Sequence, residues 1–434
     1  MTDPLSYLFG LGQFGIKFGL QSMFAIVGRL GHPERTFRCV HVAGTNGKGS
    51  VTAMVDAGLR AAGHLSARYT SPHLVDLTER FVIDGQAVAE DRMIAAVADV
   101  RAAAEALLAE GALHAHPTFF EVTTAVAFEL FRRAGVDVAV LEVGLGGRLD
   151  ATNVIDPVLT AITSIALDHQ QYLGPSLADI AGEKAGIVKP DIPVVVGGVD
   201  VEPYAAIERI ARERGARLVR AAQGVTTDAR PDGTIGLRTP VRDYGDVTVG
   251  LAGAHQIGNA VVAVRMLELL DERGLTVPPR AIVSALARPS WPGRLDLRRM
   301  TDGREMLLDA AHNPAGAAAL ASYLRGSGWG RLPLVFAAMR DKDLESMLRE
   351  ILPAIGALIV TRASNRRSAD PDMLAELVRR VAPGRPVTIA ATPVEAIEAA
   401  WRMSPRIIVA GSIFLLGDVM KTTRQLVIPF KNGS

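Results

Sequence analysis

The sequence predicts an α/β protein in which two separate sheets of mostly parallel strands are flanked by helices. From residue 36 to about residue 200, short apolar runs rich in β-branched residues alternate with Ala-rich helical stretches, and the alternation returns after Arg294. Such alternation is typical of βαβ units. The chain of 434 residues also exceeds the size of one hydrophobic core, so we expect two domains, residues 1–292 and 293–434.

The first domain is predicted to contain a mostly parallel sheet and a small antiparallel patch. Turn-rich β segments from Leu218 to Leu251, with a turn at Pro231–Gly233, indicate the patch. A helix from His255 to Arg273, which Gly274 ends, follows the patch. The parallel strands are predicted at 40–43, 65–70, 138–143, 159–165 and 194–197.

The second domain is predicted to be smaller and Rossmann-like. A helix beginning at Pro314 follows its first strand, which places a helix N-terminus at the sheet edge where open α/β sheets bind ligands. Its strands are predicted at 306–309, 334–336, 357–361, 387–389 and 407–410.

Composition and charge exclude several classes of protein. Acidic and basic residues balance to a formal net charge of +1 without a basic block, so we expect no nucleic-acid partner. The only cysteine, Cys39, lies in an apolar run and cannot form an internal disulfide, which fits a reducing cytoplasm. No apolar run reaches about 18 residues, and Asp3 stands where a secretory signal carries positive charge. We therefore expect a cytoplasmic monomer without a membrane partner.

The segment Gly44–Ser50, Gly-Thr-Asn-Gly-Lys-Gly-Ser, has the features of a phosphate-binding loop. It lies between an apolar strand and a helix-compatible stretch, 51–62. Glycines let backbone N–H groups turn toward phosphate oxygens, and Lys48 can reach the outer phosphates of ATP. The loop departs from the standard pattern, since Val42 replaces the first glycine and Gly49 separates the lysine from the final serine. A glycine-rich turn with an incidental lysine is the alternative, and the flanking strand and helix favour ATP binding.

Polar residues follow three further strands at the same predicted edge. Ser71 and Glu142 lie at the ends of two strands, and Asp168 and His169 follow the strand that we expect to run from Leu159 to Leu167. Such groups beside a triphosphate can hold Mg²⁺ directly or through water. Each has a plainer interpretation, as a turn serine, a solvated glutamate or a structural histidine. Their convergence on one edge favours a magnesium site.

Asp309 and His312 form a further candidate pair in the second domain. They lie between the first strand of that domain and the helix that begins at Pro314. Asp309 either contacts a ligand or caps the helix, and the residues alone leave both interpretations open.

An ordered series of motifs along almost the whole chain resembles one family. The motifs are the phosphate loop, Ser-Pro-His-Leu at 71–74, Thr-Phe-Phe-Glu at 118–121, the glycine-rich segment 141–153, Glu-Lys-Ala-Gly at 183–186, Trp-Pro-Gly-Arg at 291–294, and the segment 309–314. They are similar to those of the folylpolyglutamate synthases and dihydrofolate synthases of the Mur ligase superfamily. The resemblance implies an ATP-binding domain of the Mur-ligase central type in residues 1–292 and a ligase domain in residues 293–434.

The resemblance also implies roles for individual residues. The implied ATP contacts are Thr45, Asn46, Gly47, Lys48, Gly49, Ser50, Asn259, Arg294, Asp309 and His312. The implied Mg²⁺ ligands are Ser71, Glu142 and His169, and the implied catalytic residues are Lys48, His169 and Lys184. The implied pterin or folate contacts are Thr118, Phe119, Phe120, Glu121, Leu149, Asp150, Ala151 and Asn153, with the segment 15–20 as a further substrate-facing loop.

Lys184 matches a lysine that the family carbamylates with CO₂, and the resulting anion would support a second Mg²⁺ site. Without the resemblance, a helical lysine beside Glu183 would be interpreted as a surface residue. The chain also departs from the family at Ala310, where a glycine is usual, and at Thr78, near a position that commonly carries Asn.

The resemblance implies an ATP-dependent addition of L-glutamate to dihydropteroate, to the glutamate tail of folate, or to both, through an acyl phosphate. One alternative is a cell-wall Mur ligase, although the 43 residues before Gly44 leave too little room for the additional N-terminal domain of those enzymes. The other alternative is a nucleotide-hydrolysing binding protein without ligase activity, which would need no second substrate pocket.

Overall fold

The computed structural model describes residues 3–15 and 17–428, without the side chain of Phe14. Ile16, within the predicted substrate-facing loop 15–20, lies outside the described residues. The described chain divides into two compact units, of which the first contains the residues up to 73, 77–250 and 256–289, and the second contains 74–76, 251–255 and the residues from 290 onward. No helix in the described ranges is both long and apolar enough to cross a lipid bilayer.

The first unit is built on an eight-stranded sheet in the order β4-β3-β2-β5-β1-β6-β7-β8. The strands are β1 (Arg38–Ala43), β2 (Ser66–Tyr69), β3 (Phe81–Ile83), β4 (Gln86–Ala87), β5 (Val138–Glu142), β6 (Leu159–Ile162), β7 (Val194–Val196) and β8 (Leu218–Arg220). All neighbours pair in parallel except β2 with β3 and β3 with β4. The central strands β1 and β5 are buried almost throughout, which explains their uninterrupted apolar sequences.

A three-stranded antiparallel sheet forms the predicted patch in this unit. Its strands are β9 (Thr226–Ala229), β10 (Ile235–Arg238) and β11 (Asp243–Val247), with β10 in the centre. The turn between β9 and β10 contains Asp232, whose carboxylate accepts a hydrogen bond from the Thr234 N–H at 3.0 Å. The prediction placed Leu218 in this patch, whereas β8 extends the large sheet and pairs in parallel with β7.

Helices cover the large sheet and bury its side chains. A cluster that includes Tyr69, Phe81, Phe128 and Phe131 forms one part of the core. The helices up to residue 289 are α1 (Pro4–Gly10), α2 (Gln21–Arg29), α3 (Lys48–Ala61), α4 (Glu90–Ala109), α5 (Phe119–Ala134), α6 (Gln170–Leu173), α7 (Leu177–Ala185), α8 (Val201–Glu213), α9 (Ala254–Glu272) and α10 (Pro279–Ala287). Short 3₁₀ turns include Leu77–Arg80 and Ala151–Val154.

The second unit contains a six-stranded sheet in the order β12-β13-β17-β14-β15-β16. Its strands are β12 (Asp296–Arg299), β13 (Glu305–Asp309), β14 (Leu334–Phe336), β15 (Leu358–Val360), β16 (Val387–Ile389) and β17 (Arg406–Ala410). Only the β12–β13 pair is antiparallel. Its helices are α11 (Pro314–Gly326), α12 (Leu344–Ile351), α13 (Pro371–Val381), α14 (Pro393–Met403) and α15 (Ile413–Thr423).

The predicted α/β class, with a small antiparallel patch and a second, smaller sheet, is confirmed. The prediction missed β3, β4 and β12, which are short antiparallel strands without the long apolar run that marks a central strand. The expected strand from Leu159 to Leu167 is wrong in its length, because β6 ends at Ile162. The residues after Ile162 form hydrogen bonds with the phosphate loop in place of a strand ladder.

Candidate active site

The phosphate loop between β1 and α3 is held by the segment that follows β6. The Thr45 N–H donates to the Ser164 carbonyl at 2.8 Å, and the Asn46 N–H donates to the Ser164 hydroxyl at 3.0 Å. The Thr163 hydroxyl donates to the Asn46 carbonyl at 2.6 Å. These bonds between protein groups hold the loop backbone in this shape.

Gly47 has a backbone conformation that favours glycine. Its φ is +84°, and it immediately precedes the first residue of α3. A Cβ atom at this position would lie 2.4 Å from the side-chain oxygen of Asn259, whose amide nitrogen donates to Gln256 at 2.9 Å. The fold therefore brings Asn259, a predicted ATP contact, against the phosphate loop.

Lys48 begins α3, and its ammonium group turns back over the loop. Nζ donates to the Gly44 carbonyl at 3.0 Å and to the Thr45 carbonyl at 3.3 Å. The positive end of the helix lies at the same place, because α3 starts at this residue. Gly49 and Ser50 are buried in the first turn. A lysine charge and a helix N-terminus together form a site suited to phosphate groups.

The structure brings Ser71 and Glu142 together at the carboxyl edge of the sheet. Glu142 ends β5 in register with Val42 of β1, and its carboxylate accepts a hydrogen bond from the Ser71 N–H at 3.3 Å. A hydroxyl and a carboxylate are oxygen donors, which fit Mg²⁺. Within the described residues, no group of three or more His, Cys, Asp or Glu side chains is arranged to hold a metal. Ser71 and Glu142 therefore suit Mg²⁺, which commonly completes its coordination with phosphate oxygens and water.

His169 lies in the loop after β6 and precedes the first residue of α6. It has a left-handed backbone conformation with a φ of +53°. Its N–H donates to the Asp168 carboxylate at 2.9 Å, and its Nε2 atom lies 3.8 Å from the same oxygen. The predicted ligand His169 therefore lies on a loop, with its ring near the Asp168 carboxylate.

Lys184 is buried inside α7, so the interpretation as a surface lysine is wrong. Only 5% of the residue is exposed. Burial lowers the pKa of its ammonium group to about 7, with a further contribution from the charge of Lys48, while Asp168 and Asp150 oppose the shift. The neighbouring Glu183 forms a salt bridge with Arg148 at 2.8 Å. A lysine with this pKa is largely neutral above neutral pH, which is the form that reacts with CO₂.

The predicted acceptor segment begins α5 with a capping box. The Thr118 N–H donates to the Glu121 carboxylate at 2.7 Å, and the Glu121 N–H donates to the Thr118 hydroxyl at 3.2 Å. The second carboxylate oxygen of Glu121 is buried and has no hydrogen bond within the described chain. Phe119 and Phe120 are half-buried, and a Cβ on Gly144 would lie 2.5 Å from the Phe120 ring.

The loop after β5 is organised around Asp150. Its carboxylate accepts hydrogen bonds from the Leu145 N–H at 2.8 Å and the Thr152 N–H at 3.0 Å, and burial raises its pKa. The Asn153 amide nitrogen donates to the Arg148 carbonyl at 3.0 Å. The Asn153 oxygen is buried and, among the described atoms, has no donor.

The Ala151–Val154 turn of this loop contacts α5. Ala151 is buried, and Leu149 is half-buried. Two contacting elements therefore each contain a buried acceptor oxygen to which no group of the described residues donates, one from Glu121 and one from Asn153.

Two buried polar residues of this region were not among the predicted site residues. His41 of β1 places Nε2 2.8 Å from the Thr152 hydroxyl oxygen, and burial lowers its pKa to about 3. Arg80 lies over the Phe119 ring at 5.2 Å from its centroid. The sequence signal was weak, because His41 is one polar residue between two valines and Arg80 follows the polar residues Thr78 and Glu79.

In the second unit, Asp309 ends β13 and is buried. Its carboxylate accepts hydrogen bonds from the N–H groups of Leu295 and Ala311, both at 2.9 Å. Burial raises its pKa, against the opposing charge of Arg294. The cap of α11 is Asn313, whose side chain accepts from the Gly316 N–H at 2.8 Å, so the helix-cap alternative for Asp309 is wrong.

Residues 42–267 match the family described as Mur ligase middle domain, and residues 293–413 match the one described as Mur ligase, glutamate ligase domain. The dihydrofolate synthase/folylpolyglutamate synthase of Bacillus subtilis is 36% identical over 80% of this chain and 82% of its own length. The chain belongs to this family of Mur ligases. The predicted resemblance is confirmed, while the roles of the individual residues remain predictions.

Solved structures of the family share the whole fold. Escherichia coli FolC in complex with DHPP and ADP has a TM-score of 0.86 and 30% identity, covering 98% of each chain. The Mycobacterium tuberculosis folylpolyglutamate synthase complexed with ADP and AMPPCP has a TM-score of 0.88 and 32% identity, covering 97% of this chain and 99% of the other. A probable bifunctional folylpolyglutamate synthase/dihydropteroate synthase of Haloferax volcanii is 34% identical over 98% of this chain, which spans 51% of that longer protein.

Proposed function

We propose that the protein is an ATP-dependent ligase that joins L-glutamate to dihydropteroate and to the glutamate tail of folate. The observation that carries this proposal is that the phosphate loop and the Ser71–Glu142 pair follow neighbouring strands of one sheet, while the charges of Lys48, Asp168 and Asp150 act on the buried Lys184. ATP, Mg²⁺ and the acceptor would thus bind at the carboxyl edge of the strands, where open α/β sheets bind ligands. The family relatives named for both activities support the same reaction.

The reaction activates a carboxylate that is otherwise a poor electrophile. An oxygen of the acceptor carboxylate attacks the γ-phosphorus of ATP, ADP leaves, and an acyl phosphate forms. The α-amino group of L-glutamate then attacks the acyl carbon, phosphate leaves, and the nitrogen loses a proton to give the amide. Lys48 and the N–H groups at the start of α3 stabilise the charge of the transferring phosphoryl group.

Mg²⁺ would be held by Ser71, Glu142 and His169, and when bound it supplies Lewis-acid stabilisation of the phosphate oxygens. The solved structure of the Yersinia pestis relative in complex with AMPPNP and Mn ion is consistent with the use of ATP and a divalent cation. The pKa of Lys184, about 7, supports carbamylation, in which the neutral amine adds to CO₂ and releases a proton. The carbamate would be an anionic ligand for a second Mg²⁺.

The pterin ring of the acceptor would bind beside Phe120, through aromatic contact and hydrogen bonds. The ring carries an amino group and ring N–H groups, which are donors. The buried oxygens of Glu121 and Asn153 are acceptors without donors in the described chain, so they match this pattern.

ATP contacts beyond the loop are proposed at Asn259, Arg294, Asp309 and His312. Asn259 is supported by its position against Gly47, and Asp309 by a carboxylate that two backbone N–H groups hold in place. We also propose that residues 1–292 form the nucleotide-binding domain and residues 293–434 the ligase domain. The single, buried Cys39 suits a reducing cytoplasm, and we propose that the protein is a cytoplasmic monomer.

The deciding experiment is ATP-dependent incorporation of labelled L-glutamate into dihydropteroate and, separately, into tetrahydrofolate. We expect product from both acceptors and one ADP for each amide formed. A UDP-sugar peptide precursor serves as the acceptor for the cell-wall alternative and should give no product. ADP release without labelled product from either dihydropteroate or tetrahydrofolate would contradict the proposal and favour the nucleotide-hydrolysing alternative.

A further inference from the structure

Arg80 is a buried guanidinium at the carboxyl edge of the large sheet. It ends the 3₁₀ turn Leu77–Arg80, and its carbonyl accepts a hydrogen bond from the Thr70 N–H at 3.2 Å. Thr70 follows β2 and precedes Ser71, so Arg80 lies beside the end of that strand. Only 7% of the residue is exposed.

The contacts of Arg80 are uncharged. Its Nε donates to Nδ1 of His73 at 3.0 Å, and its guanidinium lies over the Phe119 ring. Within residues 3–15 and 17–428, no carboxylate forms an ion pair with Arg80. Buried charges are normally paired, because removing an ion from water is costly. This environment is suited to an anionic ligand that brings the missing charge.

The position of Arg80 narrows the identity of that ligand. Phe119 connects Arg80 to the proposed acceptor segment, and the charge of Glu142 acts on the guanidinium. The ligand anion would therefore lie near the acceptor segment and the proposed Mg²⁺ edge. Under the proposed function, the carboxylates available there belong to the acceptor or to L-glutamate.

A carboxylate that does not react is the better partner for this guanidinium. Two parallel hydrogen bonds from arginine would withdraw charge from a carboxylate that must attack phosphorus. Dihydropteroate has one carboxylate, and that group reacts. An acceptor that ends in glutamate reacts at its γ-carboxylate and retains the α-carboxylate.

We propose that Arg80 binds the α-carboxylate of the terminal glutamate of the acceptor, so that it favours glutamate-tailed folates over dihydropteroate. This inference rests on the proposed function and specifies how one protein distinguishes its two acceptors. Arg80 acts on substrate binding, whereas the phosphoryl transfer is performed by other residues.

Steady-state kinetics of Arg80→Met and Arg80→Lys, with each of the three substrates varied, tests the proposal. A charged hydrogen bond contributes about 1.5–3 kcal/mol, so Arg80→Met should raise the KM for tetrahydrofolate roughly 10- to 100-fold. The KM for dihydropteroate should change less than about threefold, and Arg80→Lys should recover part of the loss. Arg101→Met is the matched control, because Arg101 also stacks on an aromatic ring but pairs with Glu105.

Equal rises in KM for both acceptors, or a rise confined to L-glutamate, would overturn the assignment. A second measurement does not depend on the folding of any variant. With a non-hydrolysable ATP analogue present, the wild-type protein should bind tetrahydrofolate at least about tenfold more tightly than the same molecule with its α-carboxylate converted to a carboxamide. Equal affinities would contradict the proposal. Wild-type protein that incorporates no glutamate into either acceptor would refute the proposed function instead.

Discussion

Nε2 of His41 lies 2.8 Å from the hydroxyl oxygen of Thr152, and that hydroxyl also forms a hydrogen bond with the Asp150 carboxylate. The same Asp150 oxygen accepts from the Thr152 N–H, and the Thr152 hydroxyl donates its single proton to that oxygen. His41 must then donate from Nε2 and leave Nδ1 without a proton. Nδ1 is indeed buried without a partner in the described chain. This network connects β1 to the loop that carries the proposed acceptor contacts.

Thr152→Val should destabilise the protein by about 3 kcal/mol, because it leaves both His41 and Asp150 with a lost hydrogen bond in a buried site. Urea unfolding measures the loss. Thr160→Val is the control, since the Thr160 hydroxyl and N–H both donate to the Pro193 carbonyl, which keeps one donor after the change. The control should lose no more than about 1 kcal/mol. Equal losses in the two variants would contradict the importance of the network.

His41→Gln should make the protein less sensitive to acid. The pKa of His41 is about 3 in the folded protein and about 6.5 in an unfolded chain. Between these values the unfolded chain binds a proton that the native state does not, so native stability falls as the pH falls below 6.5. The expected slope is about 1.4 kcal/mol per pH unit.

Glutamine can still donate to Thr152 but does not titrate in this range. Between pH 7 and pH 5, the unfolding free energy should therefore shift by about 2 kcal/mol in favour of His41→Gln relative to wild type. His114 is exposed, and His114→Gln serves as the control without such a shift. Parallel pH profiles for wild type and His41→Gln would show that His41 titrates normally.

Lys48→Ala should abolish turnover and leave the fold intact. We propose that the Lys48 ammonium group stabilises the charge of the transferring phosphoryl group. Its removal should therefore lower kcat by at least about 10²- to 10³-fold. Its hydrogen bonds to Gly44 and Thr45 are local to the loop, and Tm should change by less than about 2 °C. Lys421→Ala, at an exposed helical position, is the control for lysine removal. Turnover retained by Lys48→Ala would remove this residue from the mechanism.

Lys184→Ala should lose most of its activity and recover part of it when acetate or propionate is added. A small carboxylate can occupy the space vacated by the side chain and replace the anion of the carbamate. The neighbouring Glu183→Gln is the control, because Glu183 pairs with Arg148 outside the buried site. Carbamylation itself is measured by ¹³C NMR of wild-type protein in ¹³C-labelled bicarbonate. Unchanged activity in Lys184→Ala would refute the carbamate assignment.

Local patterns were sufficient to predict the phosphate loop and the central strands. A strand, a glycine at positive φ and a helix start are adjacent in residues 38–61. The local sequence was therefore enough to predict the strand, the loop and the helix. The same holds for Pro314, which begins α11 as predicted. The antiparallel strands β3 and β12 were missed because short edge strands have no long apolar run.

The end of β6 shows why some boundaries escaped prediction. The apolar run beyond Ile162 favours a longer strand, but Thr163 and Ser164 bind the phosphate loop through side-chain hydrogen bonds. Those partners lie more than 100 residues away in sequence. A propensity scale evaluates only neighbours in sequence and cannot include such competition.

The sequence by itself therefore determined the α/β class, the phosphate loop and the family, because these depend on periodicity and on ordered local motifs. Tertiary structure alone decided that Lys184 is buried with a lowered pKa, that His41 contacts Thr152, and that Arg80 stacks on Phe119. Burial and pairing arise from contacts between distant segments, and they set the charge and hydrogen-bonding state of each group. The side chains that we expect to distinguish the substrates are defined by those contacts.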